Sequence, residues 1–201
     1  MASKTTLCNL AISHLGSGKE IQNFDTDTSE EAAACRRHYE DAKLSALADH
    51  DWTFATKFQV LNLVETFTEG EWKYSYRYPV DTLKVRRIKS GARLDTADSA
   101  VPYKILQDAS GLLIYSDEAD AEIEYTVDIT DPSYFSPQFI IAFSFRLAYF
   151  IAARLTGGDP FKLKNEMLTQ YLLELGTAKA NDLNAEKQDP KPESEFIQAR
   201  Y

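Results

Sequence analysis

Residues 137–156, PQFIIAFSFRLAYFIAARLT, decide the fold, because this stretch is apolar on almost every face of a helix. A helix of this kind either crosses a membrane or forms the buried centre of a bundle. Arg146 lies in its middle and Arg154 near its end, and the run is only marginally long enough to span a bilayer. The stretch therefore predicts a buried core helix, and we expect no membrane partner.

A further helix is predicted directly after this one. Gly157 and Gly158 end the core helix, Asp159 has the position of an N-cap, and Pro160 suits a first helical turn. The apolar spacing predicts that this helix runs to about Glu186. Its inward residues are predicted to be Met167, Leu168, Tyr171, Leu172 and Leu175.

Two helices are also predicted at the N-terminal end. Residues 4–15 have a helical apolar period, and Gly16 ends it. Thr28 and Glu31 have the spacing of a capping box, so the second helix is predicted to begin at Thr28 and to reach about Asp49.

Strands are predicted between these helical regions, where the apolar period changes to two. The predicted strands are 53–65, 72–78, 82–89 with a bulge near Arg86 and Arg87, 101–106, 111–116 and 121–129. The sequence thus predicts an α+β fold, with a helical bundle from the N- and C-terminal helix pairs and an antiparallel β-sheet inserted between them. We expect a bundle domain of residues 1–51 and 132–187, a sheet domain of residues 52–131, and an extended C-terminal tail of residues 188–201.

The predicted tail carries the candidate partner-binding residues. Pro190 and Pro192 prevent a helix at its start. Apolar and basic residues follow at its end, and we expect them to bind a partner: Phe196, Ile197, Arg200 and Tyr201. A frayed terminus is the alternative interpretation.

Composition limits the function classes. The formal net charge is −9 and the pI is about 4.9, which does not favour a protein that grips DNA phosphates. The two cysteines do not make a disulfide framework. Residues 1–4 lead into an amphipathic helix without the apolar region of a signal peptide, so we expect synthesis in the cytosol.

No residue group has the spacing of a catalytic, cofactor or metal site, and we expect no enzyme activity. The three histidines, His14, His38 and His50, do not have metal-ligand spacing. The acids Glu122, Glu124 and Asp128 are interpreted as one solvated strand face. This face could pair with a basic run, within one chain or between neighbouring chains, that consists of Lys84, Arg86, Arg87, Lys89 and Arg93. Paired acids for glycan hydrolysis are the competing interpretation.

Three residues are predicted to anchor the structure. Trp52 closes a helix and begins a strand, so both should bury it. Arg146 is predicted to pair with an acid, because an unpaired guanidinium in an apolar helix is costly. Trp72 is predicted to share the buried sheet face with Tyr74 and Tyr76, although such a stripe could also stack single-stranded nucleic acid.

Several stretches together resemble the tail tubular protein A family of short-tailed phages. The first is 27–40, DTSEEAAACRRHYE, followed by Leu44, Leu47 and HDWTFA at 50–55. The second is YSYRYP at 74–79 with Asp81 and Leu83. Asp131-Pro132, the apolar helix and the acidic final helix extend the resemblance over essentially the whole chain.

This resemblance implies a head-to-tail adaptor of the virion, present in the host cytoplasm before assembly. The protein would form a ring of twelve copies that binds the portal protein and the tail nozzle protein, and its rim can offer tail-fibre attachment sites. DNA would pass through without specific binding, which suits the negative charge. No cofactor is implied.

Two other functions stay open from the sequence alone. One is a tail-associated glycan hydrolase, and the other is a monomeric binding module of prophage origin.

Overall fold

The computed structural model describes residues 2–91, 99–157 and 159–185, and its fold is α+β. The described part contains four helices, which are α1 (Lys4–His14), α2 (Glu30–Ala48), α3 (Pro137–Leu155) and α4 (Pro160–Ala185). Its strands are β1 (Thr56–Val60), β2 (Leu63–Thr66), β3 (Tyr74–Arg77), β4 (Thr82–Ile88), β5 (Tyr103–Asp108), β6 (Gly111–Ser116) and β7 (Glu122–Val127). Two short 3-10 helices, Thr53–Ala55 and Pro132–Tyr134, lie where helices and strands meet.

Helix α3 lies at the centre of the helical part, as its apolar sequence predicts. It packs against α4, α2 and α1. Its buried residues recur on the face toward these helices and include Phe139, Phe143, Leu147 and Ile151. By length and composition α3 is the one described helix that could cross a membrane, but it packs here as the core helix among three others.

The helix ends confirm some predictions and correct others. Asp159 accepts hydrogen bonds from the backbone N–H groups of Phe161 and Lys162, as predicted for an N-cap. The predicted capping box at Thr28 is wrong, because Ser29 is the N-cap of α2 and accepts from the Ala32 N–H. Leu172 was predicted to face inward but is exposed on the outer side of α4.

The strands form two antiparallel sheets instead of the single predicted sheet. One has the order β1-β7-β4 and the other has the order β2-β3-β6-β5. Side chains from both sheets share one buried cluster, which includes Val85, Ile123 and Tyr125 from the first sheet and Tyr76 and Ile114 from the second. The two sheets therefore pack on a common core.

The predicted strand 53–65 is wrong. Residues 53–55 form a 3-10 turn, β1 belongs to one sheet, and β2 belongs to the other. Buried Leu61 lies between the two strands, and its backbone N–H donates to the carbonyl of Ala121, directly before β7 of the first sheet. The carbonyl of the next residue, Asn62, accepts from the backbone N–H of Arg77 in β3 of the second sheet. The chain thus changes sheets at residues 61 and 62, which explains the imperfect alternation of its sequence.

Other strand predictions are confirmed. β5 and β6 pair as the predicted hairpin, from Tyr103 opposite Ser116 to Asp108 opposite Gly111. The register of β4 against β7 shifts between Val85 and Arg87, at the predicted bulge.

Candidate functional site

Trp52 joins the helical part to the sheets and is completely buried. Its indole N–H donates to the Ala46 carbonyl at 3.0 Å, in the last turn of α2. Its ring lies 5.0 Å from the ring of Phe139 and 5.7 Å from that of Phe54, between ring centroids. The structure confirms its predicted burial, but Trp52 precedes a 3-10 turn and does not begin a strand.

Arg86 connects the first sheet to this junction, and the sequence did not reveal its role. Its guanidinium donates to the Thr126 hydroxyl at 3.0 Å, the Thr56 hydroxyl at 2.7 Å and the Trp52 carbonyl at 3.0 Å. The bulge in β4 releases Arg86 from the regular alternation of the strand. The slipped period at residues 86 and 87 was the available signal.

A buried lysine makes a second connection between helix and sheet. Lys43 of α2 is almost fully buried and lies 2.6 Å from Glu40 and 2.8 Å from Asp128, which follows β7. Burial alone would lower the pKa of Lys43, but hydrogen bonds to Asp128 and Glu40 outweigh it and the pKa is raised. The ammonium therefore stays charged at neutral pH and holds α2 against the end of the sheet.

The C-terminal end of α4 is fixed to the same junction. Asp182 is buried and accepts from the Thr53 N–H at 3.1 Å and from the Thr53 hydroxyl at 2.6 Å. The His50 imidazole lies 3.3 Å from the same carboxylate. The ends of α2 and α4 therefore meet around residues 50–55.

The acidic face of β7 pairs with the basic run of β4, as the sequence suggested, and does so within one chain. The Arg87 Nε lies 2.6 Å from Glu124, and the Lys89 Nζ lies 3.0 Å from Glu122. With Asp128 bound to Lys43, each of the three acids weighed as glycan-hydrolysis candidates has a cationic partner.

Arg146 does not have the predicted acidic partner within the described residues. It donates to the Ser45 hydroxyl at 2.6 Å, and its guanidinium carbon lies 5.0 Å from the Tyr171 ring centroid. The rings of Tyr149 and Phe150 are 5.6 Å and 5.4 Å away. Aromatic faces attract a guanidinium, so they replace the acid that the sequence argument required. Asp49 accepts a hydrogen bond from the Tyr171 hydroxyl. This carboxylate therefore contacts the ring beside Arg146 and not the guanidinium itself.

The aromatic stripe of β3 is mostly enclosed. Tyr76 is buried, and its hydroxyl donates to the Glu118 carbonyl at 2.6 Å. Trp72, the third predicted anchor, is half-buried and precedes β3, and its indole nitrogen makes no hydrogen bond within the described part. The stripe thus offers no free row of rings for stacking nucleic-acid bases.

Exposed apolar side chains occur close together in the segment that carries β1 and β2. Phe58, Val60, Leu63 and Val64 are 51%, 59%, 55% and 46% exposed. Both strands lie at the edge of their sheets, and the described residues provide no pairing strand on their outer sides. We call residues 56–66 the edge segment.

The described residues offer shallow cavities and no metal cluster. A cavity of about 550 Å³ lies where α1 and α3 end and α4 begins, lined by Leu15, Leu155 and Lys162 among others. Two further grooves of about 380 Å³ and 420 Å³ flank the strands. No group of three metal-ligating side chains occurs in ranges 2–91, 99–157 and 159–185.

The predicted partner-binding residues Phe196, Ile197, Arg200 and Tyr201 lie outside the described residues, as does the whole predicted tail 188–201. Comparison with protein families and with curated proteins finds no match for this chain.

Proposed function

We propose that the protein is a structural adaptor of a short-tailed phage, which forms a ring between the portal protein and the tail nozzle and lets DNA pass. The observation that carries the proposal is the edge segment. Monomeric proteins protect sheet edges with charges, bulges or covering elements. The edge segment has two of these features, the charges of Lys57 and Glu65 and a bulge between Leu63 and Glu65. Its two successive edge strands nevertheless carry exposed apolar side chains, which is typical of a surface that a partner covers.

The resemblance to the tail tubular protein A family supports the identity of the partners. Its best-matching stretch, residues 27–55, contains α2 and the junction at Trp52. We propose that the N- and C-terminal helices form the bundle domain and that the sheets are the inserted domain. The protein acts without a cofactor or catalytic step, first in the host cytoplasm and then in the virion.

Variants of the edge segment test this function. Val60→Lys and Leu63→Lys place charges on exposed positions, so folding should be unchanged while binding to the portal and nozzle proteins of the same genome falls at least about tenfold, or ~1.4 kcal/mol. Leu172→Lys, at an equally exposed position on α4, is the matched control and should bind as the wild type does. Unchanged binding by the two edge variants contradicts the proposal.

Deletion of residues 188–201 tests the proposed docking tail separately. A docking tail predicts unchanged thermal stability with strongly reduced portal binding. Unchanged binding would reduce these residues to a frayed terminus, and lost stability would make them part of the fold.

A further inference from the structure

Three cationic side chains from three helices gather at one end of the helical part. Arg37 of α2, Arg154 of α3 and Lys164 of α4 all lie close enough to the half-buried side chain of His38 to act on its charge, and we call this surface, which also includes Tyr149 and Phe150, the cationic end. The Lys164 Nζ lies 4.5 Å from the Tyr149 ring centroid, and the His38 ring stacks on Phe150 at 6.0 Å. Arg154 lies one helical turn beyond Phe150 on the same face of α3.

The electrostatics of His38 support this grouping. Burial lowers the pKa of His38, and the nearby charges of Arg37, Arg154 and Lys164 lower it further, against an opposing contribution from Asp41. The three cations therefore act on one point of the surface.

These cations differ from those of the sheet because they have no acidic partner. Lys57, Lys84 and Lys89 each lie within 4.0 Å of a carboxylate. Within the part of the chain that the structure describes, no carboxylate lies that close to Arg37, Arg154 or Lys164. In a chain of net charge −9, this is a local surface of opposite sign.

The cationic end lies away from the sheets. Asp182 fixes the C-terminal end of α4 to Thr53, and Phe139 fixes the start of α3 to Phe54. The opposite ends of these two antiparallel helices carry Lys164 and Arg154, and a helix the length of α3 extends about 28 Å.

An acidic surface lies at the end of the sheets that faces away from the junction. It consists of Glu69, Glu71, Asp117, Glu118 and Asp120, in the loops between β2 and β3 and between β6 and β7, and we call it the acidic tip. Glu71 lies 3.8 Å from the Lys104 Nζ of β5, so the acids of the tip outnumber this one cationic partner. The backbone of Lys73 donates to the Asp117 carboxylate at 2.9 Å, which joins the two loops. The β6–β7 loop leads into β7 at Glu122. The other end of β7 pairs with Thr56 beside the junction, so this loop lies at the far end of the strand.

We propose that the cationic end binds the acidic tip of a second copy of this chain, head to tail. The surfaces differ from each other, so every bound copy leaves one free surface of each kind. Such a contact closes into a ring when the rotation between neighbours permits, and otherwise continues as a filament. The inference rests on the proposed function only for ring closure, because the pairing itself needs no portal or nozzle.

A second copy fits the cationic end better than DNA does. DNA binding depends on neutralising many phosphates, about six to ten in a strongly salt-dependent case, and the cationic end has three permanent charges. The net charge of the chain repels a polyanion, whereas the acidic tip concentrates acids in two short loops.

Charge reversal tests the pairing without any partner protein. The first variant carries R37E, R154E and K164E, the second carries E69K, E71K and E118K, and the third carries all six changes. The third variant has the same net charge as the wild type, but the signs of its cationic end and its acidic tip are exchanged. Each variant is first checked for folding by circular dichroism and thermal melting, and sedimentation velocity then follows self-association of concentrated protein at low and at high salt.

The wild type and the six-fold variant should self-associate at low salt and separate at high salt, since the Debye length falls from about 30 Å at 0.01 M to 3 Å at 1 M. At low salt, the association constant of each triple variant should be at least about tenfold lower than that of the wild type. The second triple variant is decisive, because its net charge is closer to zero and unspecific repulsion alone predicts stronger association. Stronger association of that variant, or failure of the six-fold variant to associate, overturns the pairing.

Duplex DNA added to the wild type supplies a further outcome. Binding of DNA that the first triple variant loses, without any self-association of the wild type, assigns the cationic end to nucleic acid and overturns the proposal. If the wild type self-associates as described but ignores the portal, the pairing stands and the proposed function fails.

Discussion

Replacing Trp52 with Ala tests whether the junction holds the molecule together. The side chain has 0% exposure and contacts the rings of His50, Phe54 and Phe139. Truncating a fully buried Trp costs about 3–5 kcal/mol through lost burial and an unfilled cavity. Because a domain is stable by about 5–15 kcal/mol, the variant should still fold, but its urea midpoint should fall sharply.

The variant Trp52→Phe separates the hydrogen bond from the burial. Ala46 is among the last four residues of α2, so its carbonyl has no donor within the helix and depends on the Trp52 indole N–H. A phenyl ring fills most of the space but leaves that carbonyl unsatisfied, at about 1–3 kcal/mol. We therefore expect Trp52→Phe to lie between the wild type and Trp52→Ala in free energy of unfolding.

Phe161→Ala is the matched control, because this aromatic side chain is 77% exposed. Its loss should change the free energy of unfolding by no more than about 0.5 kcal/mol. A loss below about 1 kcal/mol for Trp52→Ala in urea titration would refute the assignment of Trp52 as the anchor of the junction.

Three further predictions concern other parts of the molecule. Ser45→Ala and Arg146→Met should be non-additive in urea titration, with a coupling of about 0.5 kcal/mol or more, and strict additivity would mean that their 2.6 Å contact contributes nothing. Hydrogen bonds from the Ser29 and Gln22 N–H groups lower the pKa of Asp27, so its contribution to stability is present above its ordinary value of about 3.9 and is lost as the pH falls through the lower folded value. The melting-temperature difference between wild type and Asp27→Asn should therefore shrink in acid, and a difference independent of pH would exclude this role. At physiological salt, light scattering of dilute protein should show mainly monomer, since copies of net charge −9 repel; a stable ring of twelve copies without the portal would contradict this.

The sequence predicted the helices well because their signals are local. The apolar run of α3 and the Asp159 cap act within a few residues, and the structure confirms both. The clean alternation of β7 likewise identifies its buried face, with Ile123 and Tyr125 inside.

The errors arise where distant residues decide the outcome. The change of sheet depends on two backbone hydrogen bonds, from Leu61 to Ala121 and from Arg77 to Asn62, which no local pattern encodes. Thr28 has a capping-box spacing to Glu31, but Lys19 binds Glu31 at 2.8 Å and Ser29 takes the cap.

Candidate functional residues were harder to predict than the fold for the same reason. A buried charge calls for a partner, but the sequence could not show that rings from α3 and α4 would surround Arg146 in place of an acid. Lys43 looked like one more polar residue of α2, and its burial depends on Asp128 from a distant strand. The cationic end consists of residues from three helices and has no signature along the chain.

Electron microscopy of the protein mixed with the portal protein of the same genome tests the central claim most directly. The adaptor proposal predicts added density as a ring of twelve copies on one face of the portal, with the edge segment against the portal protein. A portal that stays bare while the protein remains monomeric at saturating concentration would contradict it and favour a monomeric binding module.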